Sequence, residues 1–475
     1  MLCTSTRERR VGRRQSSTVG ARLAILCPAL LVVFAVYAPA ARLMLLHDDT
    51  LIALGTLGFG LLDVFAIQPQ GMSNYRPLGT ALWIATRNLF GWYVSAIIHL
   101  WNVWLHTLNT ALFAVLILRI GRQPGFGGLA LAVMCAAAFA LFPFSFQAVL
   151  WAAAVYHPLM VTFGLSGVLL FLVAQDRHRP GLLALSGIAL LLACLCHEMG
   201  FVFGVFILLL RAVQSLARQQ RLGWSAIALS ALCLAYPIAY RLVLNTTWTS
   251  AAASGMSADQ IVSNIIYFLQ GMVVWPLVVL RSWLELGTTA NATLVFLFAA
   301  SVVLVSVVLW RARLLHLGLL GLLWWVAASA PSTLFLSTQY VHYGPRLMYV
   351  PALGSALFWG ALAYALLRAA RPRLLQAVVC LAPVALIGWS VVYIADRLNE
   401  TARLTPIMTS IDRDLKQSDP SDKVLFINPP MWSGAAYPAF LIGAEGMPIF
   451  QGCLLYTSDA ADDLLCVDLG GRRII

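Results

Sequence analysis

Long apolar runs recur along this chain with short polar breaks between them. Their length suits a bilayer, in which about 20 apolar residues cover about 30 Å of hydrocarbon. Such runs fall near residues 23–45, 94–118, 126–146, 150–174, 181–196, 199–213, 224–244, 293–310, 314–335, 347–367 and 374–395. The pattern predicts an all-α polytopic membrane protein with about eleven transmembrane helices. The pair 181–196 and 199–213 is short and shares a turn at Cys196-His197-Glu198-Met199.

The arginines set the expected orientation, because basic loops stay cytoplasmic. With the N-terminus inside, the inner side receives Arg7 to Arg22, Arg119 and Arg122, Arg177 and Arg179, and Arg211, Arg218 and Arg221. It also receives Arg311 and Arg313, then Arg368, Arg371 and Arg373. Few arginines remain outside, Arg76 and Arg346 among them. The expected topology is N-in and C-out. Residues 261–280 are apolar enough to span, but counting them would move every later basic cluster outside. Residues 258–280 are therefore expected to form a re-entrant or interfacial helix in an outer loop, 245–292.

The chain divides into a basic cytoplasmic tail (1–22), a transmembrane domain (23–395) and a polar stretch (396–452). The first run, 23–45, reads as a retained signal anchor. The first outer loop, 46–92, is long enough for amphipathic helices on the membrane surface. In the polar stretch, 424–430 reads as a strand ending in a Pro-Pro turn, the start of an extracytoplasmic soluble domain. Residues 453–475 resemble a translated sequencing adapter, so that domain is expected to be truncated and the natural chain to continue past about Gly452.

Composition agrees. Hydrophobic residues make up 61% of the 475 and charged residues 11%, with mean hydropathy +0.84. A soluble domain carries about 25% charged residues, so that class is excluded. The net charge of +12 follows from orientation, and no nucleic-acid partner is expected. Cys27, Cys135, Cys194, Cys196, Cys233 and Cys380 lie within or at the ends of apolar runs and lack metal-site spacing.

Chemistry concentrates at the expected outer ends. Asp48 and Asp49 follow the first run. Two adjacent carboxylates could deprotonate a hydroxyl or bind a divalent cation, or simply begin a solvated loop. Arg76, beside Tyr75, opposes the charge bias and suits a phosphate, which a guanidinium grips in bidentate fashion. Arg346, amid aromatics and His342, offers the same chemistry, although either arginine could also be an interfacial anchor. His99 and His106 share one face of the second run with Asn102, where polar residues are functional candidates or helix-to-helix glue. Tyr156 and His157 begin another run. His197 and Glu198 mark the shared turn, where the carboxylate could contact a ligand or cap the next helix. Asp48, Asp49 and Glu198 are the acidic groups a cation could use, and nothing in the sequence requires one.

Taken in order, the acidic pair, Tyr75-Arg76-Pro77-Leu78, Phe90-Gly91, His99-x-x-Asn102-x-x-x-His106, Trp151 to His157, His197-Glu198 and Arg346-Leu347-Met348-Tyr349 resemble the polytopic GT-C glycosyltransferases. The resemblance is strongest to their protein O-mannosyltransferase-like branch and covers about 40–395. It implies a sugar taken from a polyprenyl-phosphate donor and passed to a protein, lipid or glycan acceptor on the outer face of a bacterial inner membrane. It also implies Asp48 as general base or metal-proximal carboxylate with Asp49 as its partner, and Arg76 and Arg346 on the donor phosphate. Two other readings compete, a polysaccharide polymerase or ligase and a lipid or glycan transporter.

Overall fold

The structure, a computed structural model, describes residues 27–46, 48–66, 75–123, 125–218, 223–244, 257–277, 291–370 and 373–417, together with 432–433 and 437–438. The basic tail, His47, the expected strand at 424–430 and residues 453–475 lie outside the described residues.

The described chain is helical except for a two-residue antiparallel ladder, Trp432–Ser433 against Tyr437–Pro438. In order, the helices are α1 (Cys27–Arg42), α2 (Asp48–Gly55), α3 (Pro77–Phe90), α4 (Ser95–Gly121), α5 (Gly125–Ala140) and α6 (Phe146–Leu150). Then come α7 (Tyr156–Arg177), α8 (Pro180–Cys196), α9 (Val202–Arg218), α10 (Trp224–Leu244), α11 (Ala258–Met272) and α12 (Asn291–Arg311). The last are α13 (Leu315–Phe335), α14 (Thr338–His342), α15 (Ala352–Ala369), α16 (Arg373–Ala402) and α17 (Leu404–Gln417).

Every one of the expected apolar runs is occupied by helix, but their lengths differ. Among the described residues, seven helices are long and apolar enough to cross a membrane: α4, α7 and α9 (each of the last two with its preceding turn), α12, α13, α15, and a stretch beginning within α16. The expected run 126–146 is not one straight span. It breaks after α5, turns through Pro143–Ser145 and continues as α6 with a bend of 52°; the bent pair is an eighth candidate. Helices α1, α8 and the first part of α10 are apolar but shorter. Helix α11 starts with a capping box, Ser257 with Gln260, and is too short to count as a span. It packs on α12, α13 and α15, with Asn264 donating to the Thr333 and Leu336 carbonyls. The chain stays helical past residue 395, to Ala402.

The core is built by α4, α5, α7, α9, α13 and α15. Between apolar helices in lipid, association depends on close packing, and small residues permit it. At the α13–α15 crossing Gly321 and Gly354 face each other, and a Cβ on either would strike the other's carbonyl oxygen. Helices α12 and α16 stand at the periphery, mostly unburied within the chain. Chain direction gathers the starts of α4, α7 and α15 with the ends of α8, α10 and α13 at one end of the bundle. The turns after α4, α7 and α12 lie at the other. Each of these turns puts a basic residue in the left-handed region: Arg122 (φ 49°), His178 (φ 50°) and Arg313 (φ 60°).

Candidate functional site

Residues from well-separated stretches meet at the first of these two ends. Arg76 precedes α3, whose Pro77 at the first helical position is pre-set for helix. Glu198 opens the 3-10 turn Glu198–Phe201, after His197 breaks the chain between α8 and α9 in an extended conformation. Arg76 grips Glu198 in bidentate fashion, Nε donating to Oε2 at 2.9 Å and Nη2 to Oε1 at 2.5 Å. The two side chains are 18% and 16% exposed, so the pair is largely desolvated yet reachable. Burial opposes the Arg76 charge, but the Glu198 carboxylate outweighs it and raises the guanidinium pKa.

The Arg76 guanidinium also lies over the Tyr156 ring, 5.4 Å from its centroid. Tyr156 can approach because α3 presents Gly79 there; any Cβ at that position would run into the ring. The next residue, His157, packs against His197 with tilted rings whose centroids are 4.6 Å apart. His197 Nδ1 accepts the Met199 N–H at 3.1 Å and stands 3.6 Å from Glu198 Oε2. Burial first, and then the Arg76 charge, pushes the His197 pKa down to about 3.

Arg346 comes from the 3-10 turn Pro345–Met348 and is held from several directions. It lies over the Trp151 ring at 4.7 Å and the Tyr340 ring at 5.2 Å, and it donates to Gln147 Oε1 and to the Tyr340 hydroxyl. Arg76 and Arg346 both act electrostatically on His157 and His197, so the two cations share one site.

The acidic pair divides. Asp48 is half-exposed at the start of α2 and within electrostatic reach of Tyr156. Asp49 is fully buried, and its oxygens accept the Leu46 N–H at 2.9 Å and the Ala153 N–H at 2.6 Å. Burial raises its pKa well above the carboxylate range, against the pull of those two donors. Asp49 is thus a fastening for the chain after Trp151, out of contact with solvent, and of the expected acidic pair Asp48 is the one a substrate could reach.

Four further expectations are revised. His99 Nδ1 faces the Leu150 carbonyl at 2.8 Å, and His106 sits between the Ala140 carbonyl (2.9 Å) and the Tyr349 hydroxyl (2.8 Å). Both are buried and belong to the bundle interior. His342 stacks on Tyr267 with centroids 4.9 Å apart, which turns its ring to α11. The Tyr75 hydroxyl donates to the Phe65 carbonyl and its backbone N–H donates to the Tyr240 hydroxyl, so Tyr75 straps the stretch before α3 to α10. As for a cation, no three His, Cys, Asp or Glu side chains converge among the described residues. Glu198 is committed to Arg76 and Asp49 to backbone donors, so the expected acidic set does not fit a metal as it stands.

Sequence reasoning passed over Tyr240, Gly79 and the anchoring role of Gln147. Only Gln147 gave a signal, as an amide in an otherwise apolar run. No known protein family and no curated protein matches this chain.

Proposed function

We propose that this chain is a membrane glycosyltransferase that takes a sugar from a polyprenyl-phosphate donor and passes it to an acceptor hydroxyl on the extracytoplasmic face. What carries the reading is the convergence of Arg76, Tyr156, His157, His197, Glu198 and Arg346 at one end of the bundle, with Asp48 close by. All eleven apolar helices cross the membrane in this proposal, with the N-terminus inside. The basic turns then face the cytoplasm of a bacterium, and the site faces outward across its inner membrane.

The chemistry follows from the leaving group. A lipid-linked donor lies in the membrane, so its phosphate arrives at interface depth, where Arg76 and Arg346 stand. As the bond to the anomeric carbon breaks, negative charge grows on the phosphate, and the two guanidinium groups stabilise it. Asp48, half-buried where Asp49 is sealed, takes the proton from the acceptor hydroxyl. Direct displacement by one base inverts the anomeric centre.

The test is sugar transfer in membranes, using a panel of polyprenyl-phosphate sugars and comparing wild type with Asp48→Asn and Arg346→Ala at matched expression. Consumption of one donor, lost in both variants, supports the reading. If no donor is consumed, or Asp48→Asn works as well as wild type, the transferase reading falls and the transporter reading replaces it.

A further inference from the structure

The guanidinium fork of Arg76 is already filled. Glu198 presents two oxygens to it in the geometry a phosphodiester's two free oxygens would adopt. A desolvated ion pair resists losing one partner, because the other is left as an uncompensated buried charge. An anion entering from outside therefore has to take Arg76 from Glu198, and the released carboxylate needs a new counter-charge nearby. His197 is the nearest group able to provide one. Its Nδ1 is 3.6 Å from Glu198 Oε2 and now accepts the Met199 N–H, so that nitrogen carries no proton.

The other groups facing this spot offer no alternative. Tyr156 is an uncharged ring under Arg76, and Tyr236 of α10 and Tyr340 are uncharged phenols. Arg346 is held by Gln147, Trp151 and Tyr340, and His157 is packed behind His197.

We propose that Glu198 is a resident competitor for the anion site, and that a phosphodiester binds by displacing it from Arg76 onto His197, which takes up one proton at Nδ1. The balance closes: one negative charge enters with the ligand, one proton enters from solvent, and the charge of the site is unchanged. His197 gives up the Met199 N–H and donates to Glu198 instead. The proposal rests on the reading of Arg76 as a phosphate-binding group, and it adds that the site is closed by its own carboxylate until ligand and proton arrive together.

The sign of the pH dependence follows. A group that gains a proton on binding makes affinity rise as pH falls, by up to about tenfold per pH unit for one proton. A phosphodiester suits the test because, unlike a monoester with its second pKa of about 6, it has no ionisation of its own near neutrality.

The experiment uses the full chain in a phosphate-free maltoside detergent. Binding of dimethyl phosphate and of micelle-dissolved dihexadecyl phosphate is read from each probe's ³¹P resonance at pH 6 and pH 8. Wild type is expected to bind more tightly at pH 6, by tenfold or more across the two units. Glu198→Gln is expected to bind at least tenfold more tightly than wild type at pH 8 and to lose most of the pH dependence. His197→Asn leaves the ion pair and an acceptor for Met199 in place, and it is expected to bind equally at both pH values. This variant keeps the test decisive if Glu198→Gln folds poorly. Binding of the lipid probe alone assigns the ligand to the membrane, and equal binding of both probes assigns it to the phosphate group itself; either supports the proposal. Wild-type binding that is indifferent to pH, with Glu198→Gln no tighter, overturns the displacement while leaving Arg76 a phosphate site. If neither probe binds any variant, the proposal and the Arg76 assignment fall together.

Discussion

Asp48 and Asp49 are neighbours in sequence with different surroundings, because successive residues on a helix point about 100° apart. One is half-exposed near Tyr156, and the other is sealed against the Leu46 and Ala153 N–H groups. Removing the sealed carboxylate strands two buried donors, each costing about 1–3 kcal/mol. Asp49→Ala is therefore expected to lower the melting temperature of the purified protein well below that of Asp48→Asn, whereas Asp48→Asn is expected to abolish transfer. A thermal melt of both variants beside the transfer assay separates the two roles. Gly79→Ala has the opposite character: the new methyl displaces the Tyr156 ring beneath Arg76. An overpacking cost of about 1–3 kcal/mol is expected, together with weaker dialkyl phosphate binding in a ³¹P titration. The arginines of the site were legible in the sequence because they stood apart from the basic clusters that set the expected orientation. Their partners were not, since Arg76 and Glu198 meet across 122 positions and no local pattern encodes that.

The element that hydropathy misread is the stretch from α5 to the start of α7. Residues 126–174 are almost continuously apolar, so neither the bend near Pro143 nor the extended link at Trp151 disturbs the pattern. Irregular backbone at membrane depth survives only when its polar groups are satisfied within the protein. Helix α4 does this. His106 reaches the Ala140 carbonyl, His99 that of Leu150, Asn102 that of Trp151 and Asn109 that of Pro158. The polar face read from the sequence as a candidate site or as helix-to-helix glue is a set of clasps for a broken helix, and one of the linked residues, Trp151, is the ring that supports Arg346. Asn102→Leu is expected to cost about 1 kcal/mol in stability. It is also expected to weaken phosphodiester binding, while the distant Thr107→Val is expected to leave binding alone. A melt and a titration on the same samples check both statements.

For the whole molecule, the sequence located the helices well, since each apolar run is helical, but it overstated how evenly they span. The break between α8 and α9 was legible as the short shared turn at His197-Glu198, whereas apolar length alone does not reveal that the chain bends after α5. Orientation can be measured directly. Single cysteines placed at His178 and Ala312 are expected to react with a membrane-impermeant maleimide only in inside-out vesicles, and one at Gln339 only in right-side-out vesicles. The basic turns have a further consequence. Arg122, His178 and Arg313 occupy left-handed backbone positions where a side chain costs about 1–2 kcal/mol and glycine costs least. In the orientation proposed above, two of these positions hold permanent charges of the kind that direct insertion. Arg122→Gly and Arg313→Gly are thus expected to give a protein that is harder to melt once inserted, yet one that inserts less uniformly. His178→Gly relieves the same strain without giving up a permanent charge. In that orientation the demands of being built in the right direction and of resting comfortably afterwards fall on the same few residues, and strain in the finished fold is the cost of a directed assembly.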